Sequence, residues 1–207
     1  MEEPKPAVES KKKHFSINID PRGDVTLKVG PPGAGRSLRV SSSVLSLGSP
    51  VFAAMLNSTF IEGTVPTDGS TRNISLLEDE PRAVTTLCNV LHHQSQYVRV
   101  EIFKDFDQLA LLCDKYDCAR ALKPWTTLWL QKWRGVAIGE DDYWKMLYIS
   151  YAFDDRPAFY AASLAILQHY NDNEMTGALA TRPGLAILPD RVIGSWHQYP
   201  PDSPIIH

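Results

Sequence analysis

With 207 residues, 43% of them hydrophobic, the chain is long enough to bury a core without a disulfide or metal staple. Its net charge of -3 and charged fraction of 22% carry no electrostatic footprint for nucleic acid or an anionic membrane. No apolar run reaches roughly 18 residues, so no membrane-spanning helix is expected. The three cysteines, odd in number and in apolar helical surroundings, read as reduced core thiols of an intracellular protein, nuclear or cytoplasmic.

Residues 1–22 read as a disordered or extended tail. Its first 16 residues are rich in Pro, Glu and Lys and hold no apolar signal-peptide segment. Lys11-Lys12-Lys13 fits a solvated tail better than a nuclear-import signal. Phe15-Ser16-Ile17-Asn18-Ile19 alternates and predicts a short extended segment, and Asp20-Pro21-Arg22-Gly23 predicts a turn. Val25-Thr26-Leu27-Lys28-Val29 and Ser37-Leu38-Arg39-Val40-Ser41 alternate on either side of a Pro/Gly loop, which predicts a β-hairpin.

Two short helices follow. Serines precede Val44-Leu45-Ser46-Leu47, and Gly48 is expected to close that helix. Ser49-Pro50 supplies a cap and a first-turn proline for the next, whose apolar stripe is Val51, Phe52, Met55 and Leu56. Positions 57–68 read as a loop and Asn73 to Leu77 as a strand. Asp79 or Glu80 before Pro81 opens a helix buried through Val84, Leu87, Cys88, Val90 and Leu91 and ending near His92-His93. Tyr97 to Val100 suggests one more strand, and Phe103 to Tyr116 a helix. Asp117 is placed to cap a helix from Cys118 to Trp133, rich in tryptophan and so covered on most sides. Two more helices are expected, from Asp141 to Ala152 and from Ala158 to Tyr170, separated by the capping pair Asp154-Asp155. Beyond them, 171–189 reads as irregular, Arg191 to Trp196 as a helical turn and 198–207 as a flexible tail.

The sharpest enzymatic motif is Gly30-Pro31-Pro32-Gly33-Ala34-Gly35-Arg36-Ser37, close to a phosphate-binding P-loop. Three features count against it. Arg36 replaces the lysine. The residues after it alternate instead of opening a phosphate-holding helix. No apolar strand ending in an aspartate follows to hold Mg²⁺. A P-loop nucleotide-binding enzyme using Gly30–Ser37 is therefore the remote alternative to a hairpin loop. The histidines lack metal-ligand spacing, and no nucleophile elbow is present. No enzyme activity, cofactor, metal or small-molecule substrate is expected, and neither nucleic acid nor membrane as a partner.

The order strand, strand, short helix, short helix, strand, then helices resembles the BTB/POZ domain over 23–135. Asp24-Val25-Thr26-Leu27 is similar to the family's opening motif. Val44-Leu45 with Ser49-Pro50-Val51-Phe52 and Met55 is similar to its second motif, and Asp114-Lys115-Tyr116 with Leu122 to its third. The phrasing is most like BTB proteins of filamentous fungi, with a helical extension over 136–197. The resemblance implies an α+β fold, a small mainly three-stranded sheet packed on short helices. It implies protein–protein interaction: an adaptor or scaffold docking a cullin of a ubiquitin ligase, or an oligomerising transcriptional or developmental regulator that self-associates. It also implies that Phe60-Ile61-Glu62 forms the family's apolar-x-Glu docking motif, with Met55, Asn57 and His92 as further partner-binding residues. Ser41 stands where many animal members carry a pocket-lining histidine, so functions of that pocket are not carried over.

Overall fold

The computed structural model describes residues 15–57, 71–98, 105–133, 140–170 and 183–190, with Gly177 and Thr181. Strand β1 (Phe15–Asn18) begins it, followed by β2 (Val25–Val29) and β3 (Arg36–Val40). The predicted hairpin forms: β2 and β3 pair antiparallel with Val25 opposite Val40 and Leu27 opposite Leu38. β4 (Arg72–Leu76) lies parallel to β2, and β1 parallel to β3, so the order is β1-β3-β2-β4. The small sheet expected to be mainly three-stranded gains a fourth strand, because the alternating segment at Phe15 pairs with β3.

Side-chain alternation decides which face is buried. Val25, Leu27 and Val29 point inward from β2, Leu38 and Val40 from β3, and Ile74 and Leu76 from β4. The register aligns Ile17, Leu38, Leu27 and Ile74 in one row across the four strands. Each fully buried Leu or Ile in such a row stabilises the fold by about 1.5–3 kcal/mol relative to an exposed one.

Helices α1 (Ser42–Gly48) and α2 (Pro50–Met55) follow the hairpin. Ser41 caps the first through Val44 N–H at 3.4 Å, and Ser49 the second through Phe52 N–H at 3.0 Å. Gly48 is the last residue of α1 for a packing reason: a Cβ there would lie 2.6 Å from a Leu91 methyl. Helix α3 (Pro81–Leu91) is capped by Glu80, whose carboxylate accepts from Ala83 N–H at 2.6 Å. Ser95–Tyr97 forms a 3-10 turn, and Arg99 and Val100 of the strand suggested from Tyr97 to Val100 lie outside the described residues. Helices α4 (Phe106–Lys115), α5 (Ala119–Trp133), α6 (Glu140–Ala152) and α7 (Arg156–His169) complete the described helices, and Pro183–Ile187 forms a 3-10 turn. The helical turn expected at Arg191 to Trp196 lies outside the described residues.

Helices α3, α4 and α6 end alike. His93, Asp117 and Asp154 sit in the left-handed region at φ 57°, 48° and 50°. The next N–H reaches back five residues each time: Gln94 to Asn89 at 2.8 Å, Cys118 to Cys113 at 3.0 Å and Asp155 to Ser150 at 2.8 Å. This is the Schellman closure made without glycine. Asp117 therefore ends α4 instead of capping α5. Asp155, by contrast, caps α7 through Ala158 N–H at 3.0 Å, as the sequence predicted.

One apolar core runs from the sheet through α6 and α7. Phe106 of α4 meets Trp129 of α5 edge-on at 5.2 Å and Phe153, just past α6, at 5.8 Å. Lys123 of α5 donates to the carbonyls of Phe153 (2.8 Å) and Asp154 (2.5 Å), where the end of α6 leaves acceptors free. Cys88, Cys113 and Cys118 are buried and free, as expected. Burial, with Cys118 adding to it, pushes the Cys88 thiol up to about 12. Contact with Cys118, then burial, raises Cys113. Both therefore stay protonated and poorly nucleophilic.

Candidate docking surface

The residues that carry the sequence motifs converge at two polar junctions. At the first, Asp24 accepts from Ser42 N–H (2.8 Å), Ser42 O–H (2.7 Å) and the Arg72 guanidinium (3.0 Å). Arg72 also donates to Leu56 O, at 3.2 Å. The turn before β2, the start of α1, β4 and the end of α2 are thereby held together. Burial opposes the Asp24 charge, but these donors outweigh it and hold the carboxyl below its ordinary 3.8.

At the second junction Ser49, fully buried, caps α2 and also donates its hydroxyl to Tyr116 O at 2.5 Å. The Tyr116 ring stacks on Phe52 with centroids 4.3 Å apart. Its hydroxyl donates to Asp79, which also receives Lys115 Nζ at 2.6 Å. Burial, then Asp79, raises the Tyr116 phenol well above its ordinary value. Of the two acids weighed as the α3 cap, Glu80 takes the cap and Asp79 takes Lys115 and Tyr116.

From this second junction Lys115 and Tyr116 face an open groove of about 440 Å³. Val51 and Met55 of α2 line one side, Leu76, Leu77 and Glu78 at the end of β4 another, and Lys115 of α4 with Tyr116 just past it the third. Leu77 is 51% exposed, an apolar side chain presented at the rim beside the Glu78 and Lys115 charges. Apolar surface with a charged edge is the chemistry of a protein contact.

The expected partner-binding residues divide. Met55 lines the groove and is half-buried. Asn57 is exposed one residue past the α2 cap, its N–H on Ala54 O at 3.3 Å. Phe60 and Glu62 lie outside the described residues. His92 does not line the groove. It is half-buried at the end of α3, with Nε2 accepting from Ser41 N–H at 3.0 Å and Nδ1 facing Cys88 O at 2.8 Å. An imidazole thus reaches Ser41, but from α3. Sequence reasoning missed Val51, Leu77 and Lys115 as groove residues. The available signal was Leu77, an apolar residue breaking the strand's alternation after Leu76.

The two His92 bonds require a neutral ring with its proton on Nδ1. Burial lowers its pKa below 6.5, with His93 acting the same way and Asp20 opposing. The unfolded chain then binds the proton that the folded chain refuses, so stability should fall as pH drops below about 6.5. Urea midpoints measured from pH 7.5 to 5 should show this slope. In His92→Gln, which keeps an acceptor for Ser41, the slope should flatten.

The P-loop geometry is not formed. Gly30 and Gly33, at φ 80° and 87°, turn the hairpin, and Arg36 and Ser37 already belong to β3. Arg36 donates to Thr85 of α3 at 3.3 Å. Among the described residues, no group of three His, Cys, Asp or Glu is placed to hold a metal, and no helix is long and apolar enough to cross a membrane.

Comparison with known proteins agrees with these motifs. A family model described as the BTB/POZ domain matches residues 21–129, more than half of the chain. No curated protein matches the sequence. Helices α6 and α7 lie beyond the matched segment.

Proposed function

We propose, from the premise that this chain belongs to the BTB/POZ family of protein–protein interaction modules, that it docks a cullin scaffold and acts as an adaptor or scaffold subunit of a cullin-dependent ubiquitin ligase. BTB domains bind protein partners and self-associate. The observation that carries the finer reading is the α2–β4–α4 groove, with Met55 and Leu77 at its apolar surface. Phe60-Ile61-Glu62 follows α2 in the sequence by only a few residues, and it has the apolar-x-Glu pattern that fills a pocket and pairs at its rim.

The full chain should co-elute with the cullin of its source organism. Phe60→Ala combined with Glu62→Ala should weaken that complex at least about tenfold, the loss expected for a desolvated anchor. Leu77→Asp, at an exposed site that the fold tolerates, should do the same if the groove takes part. Co-elution unchanged by the double substitution overturns the role of the motif. Co-elution lost there but kept in Leu77→Asp separates the motif from the groove.

A further inference from the structure

The inner face of the sheet builds the core, and its outer face is a surface of another kind. By alternation each of the four strands turns two side chains outward, eight in all. None of the eight is apolar and none is acidic. The register sets Lys28 of β2 between Ser37 and Ser75, and Arg39 of β3 between Asn18 and Thr26. Lys28 is exposed and Arg39 half-buried, and neither forms an ion pair among the described residues. Arg39 Nε donates to Gly23 O at 2.8 Å, which holds the guanidinium in place and leaves its charge uncompensated.

A solvated surface ordinarily mixes both signs of charge. Here two cations stand together without an acid, on a chain whose net charge is -3. The acids that flank these strands are engaged or turned to the groove: Asp20 accepts from Arg22 N–H at 2.8 Å, Asp24 from Ser42 and Arg72, and Glu78 lines the groove past β4. Lys28 and Arg39 are diagonal neighbours on paired strands, a placement that sets their Cβ atoms about 7 Å apart. Alternate side chains of an extended polypeptide stand about 6.5–7 Å apart. We infer that the outer face of the sheet docks an acidic, extended segment of a partner protein, with carboxylates at positions i and i+2 meeting Lys28 and Arg39. The hydroxyls and amides beside the two cations supply further donors to the same carboxylates. The inference concerns a face other than the groove and does not rest on the cullin reading.

The test is NMR on the full chain with the capped peptide Ac-Thr-Glu-Thr-Glu-Thr-NH2, whose two carboxylates have that spacing. It should shift the signals of Thr26, Lys28 and Arg39, and bind less well as NaCl rises from about 50 to about 300 mM. Ac-Thr-Gln-Thr-Gln-Thr-NH2 should shift none of them. Ac-Thr-Glu-Glu-Thr-Thr-NH2, with the same charge on opposite sides of the extended chain, should bind about fivefold less well. Lys28→Gln should weaken the first peptide about fivefold and leave the melting temperature unchanged, since an exposed side chain without an ion pair is lost. Lys28→Glu should abolish binding. A response as large to the glutamine peptide, or binding that survives Lys28→Glu, would overturn the inference. So would a response as large to inorganic phosphate or to oligothymidylate, which would assign the face to another anion.

Discussion

Replacing Ser49 with alanine should lower stability by roughly 2–4 kcal/mol, the sum of a lost helix cap and a buried carbonyl left unmet. Ser49 is fully buried, and its one hydroxyl serves both ends of the contact: it accepts from Phe52 N–H and donates to Tyr116 O. Alanine leaves both partners in a site that water does not reach. For a chain of this length the melting midpoint should fall by roughly 5–12 °C. Ser41→Ala is the control. That serine also caps a short helix, through a longer bond of 3.4 Å and in a half-buried site, so its loss should cost about 0.5–1 kcal/mol. Equal losses in the two variants, read from urea unfolding, would show that the bond to Tyr116 contributes nothing.

The second large effect is expected at Asp79. Its side chain is 4% exposed and holds Lys115 and the Tyr116 hydroxyl together. Asp79→Ala removes the acceptor of a buried phenol and should cost roughly 2–3 kcal/mol. Nearly all of this comes from the phenol. The Lys115 side chain is 48% exposed, and water replaces much of its ion pair. Tyr116→Phe keeps the stack on Phe52 but leaves Asp79 with one donor, and should cost roughly 1–3 kcal/mol. The double variant should lose less than the sum, by roughly 1–2 kcal/mol, because each single change already abolishes the shared bond. Additive losses would mean that the two groups act independently.

Local signals made much of this fold legible in the sequence. The hairpin announced itself through alternation around Pro and Gly, and α2 and α3 through an acceptor before proline. Non-local pairing was hidden. Nothing in Phe15-Ser16-Ile17-Asn18 states that it will lie parallel to β3, because that register depends on Leu38 being placed first. Asp79 and Glu80 are chemically alike in sequence, and only the approach of α4 assigns them different work. His92 looked like a helix-end residue and is one, but its second nitrogen meets a backbone N–H 51 residues away. The groove was half legible: Met55 belonged to a recognisable stripe, whereas Lys115 and Leu77 come to it from other elements.

The boundary of the family match and the boundary of the core do not coincide. Phe106 lies inside the matched segment, and of the rings it meets, Trp129 is the last matched residue and Phe153 lies beyond it. Helix α4 is therefore held in common: its far end is buried by the extension, and its near end supplies Lys115 beside Tyr116 at the groove. A fragment cut to the matched residues would bare one end of the helix on which the other end's chemistry depends. In this chain the extension is part of the foundation of the docking surface.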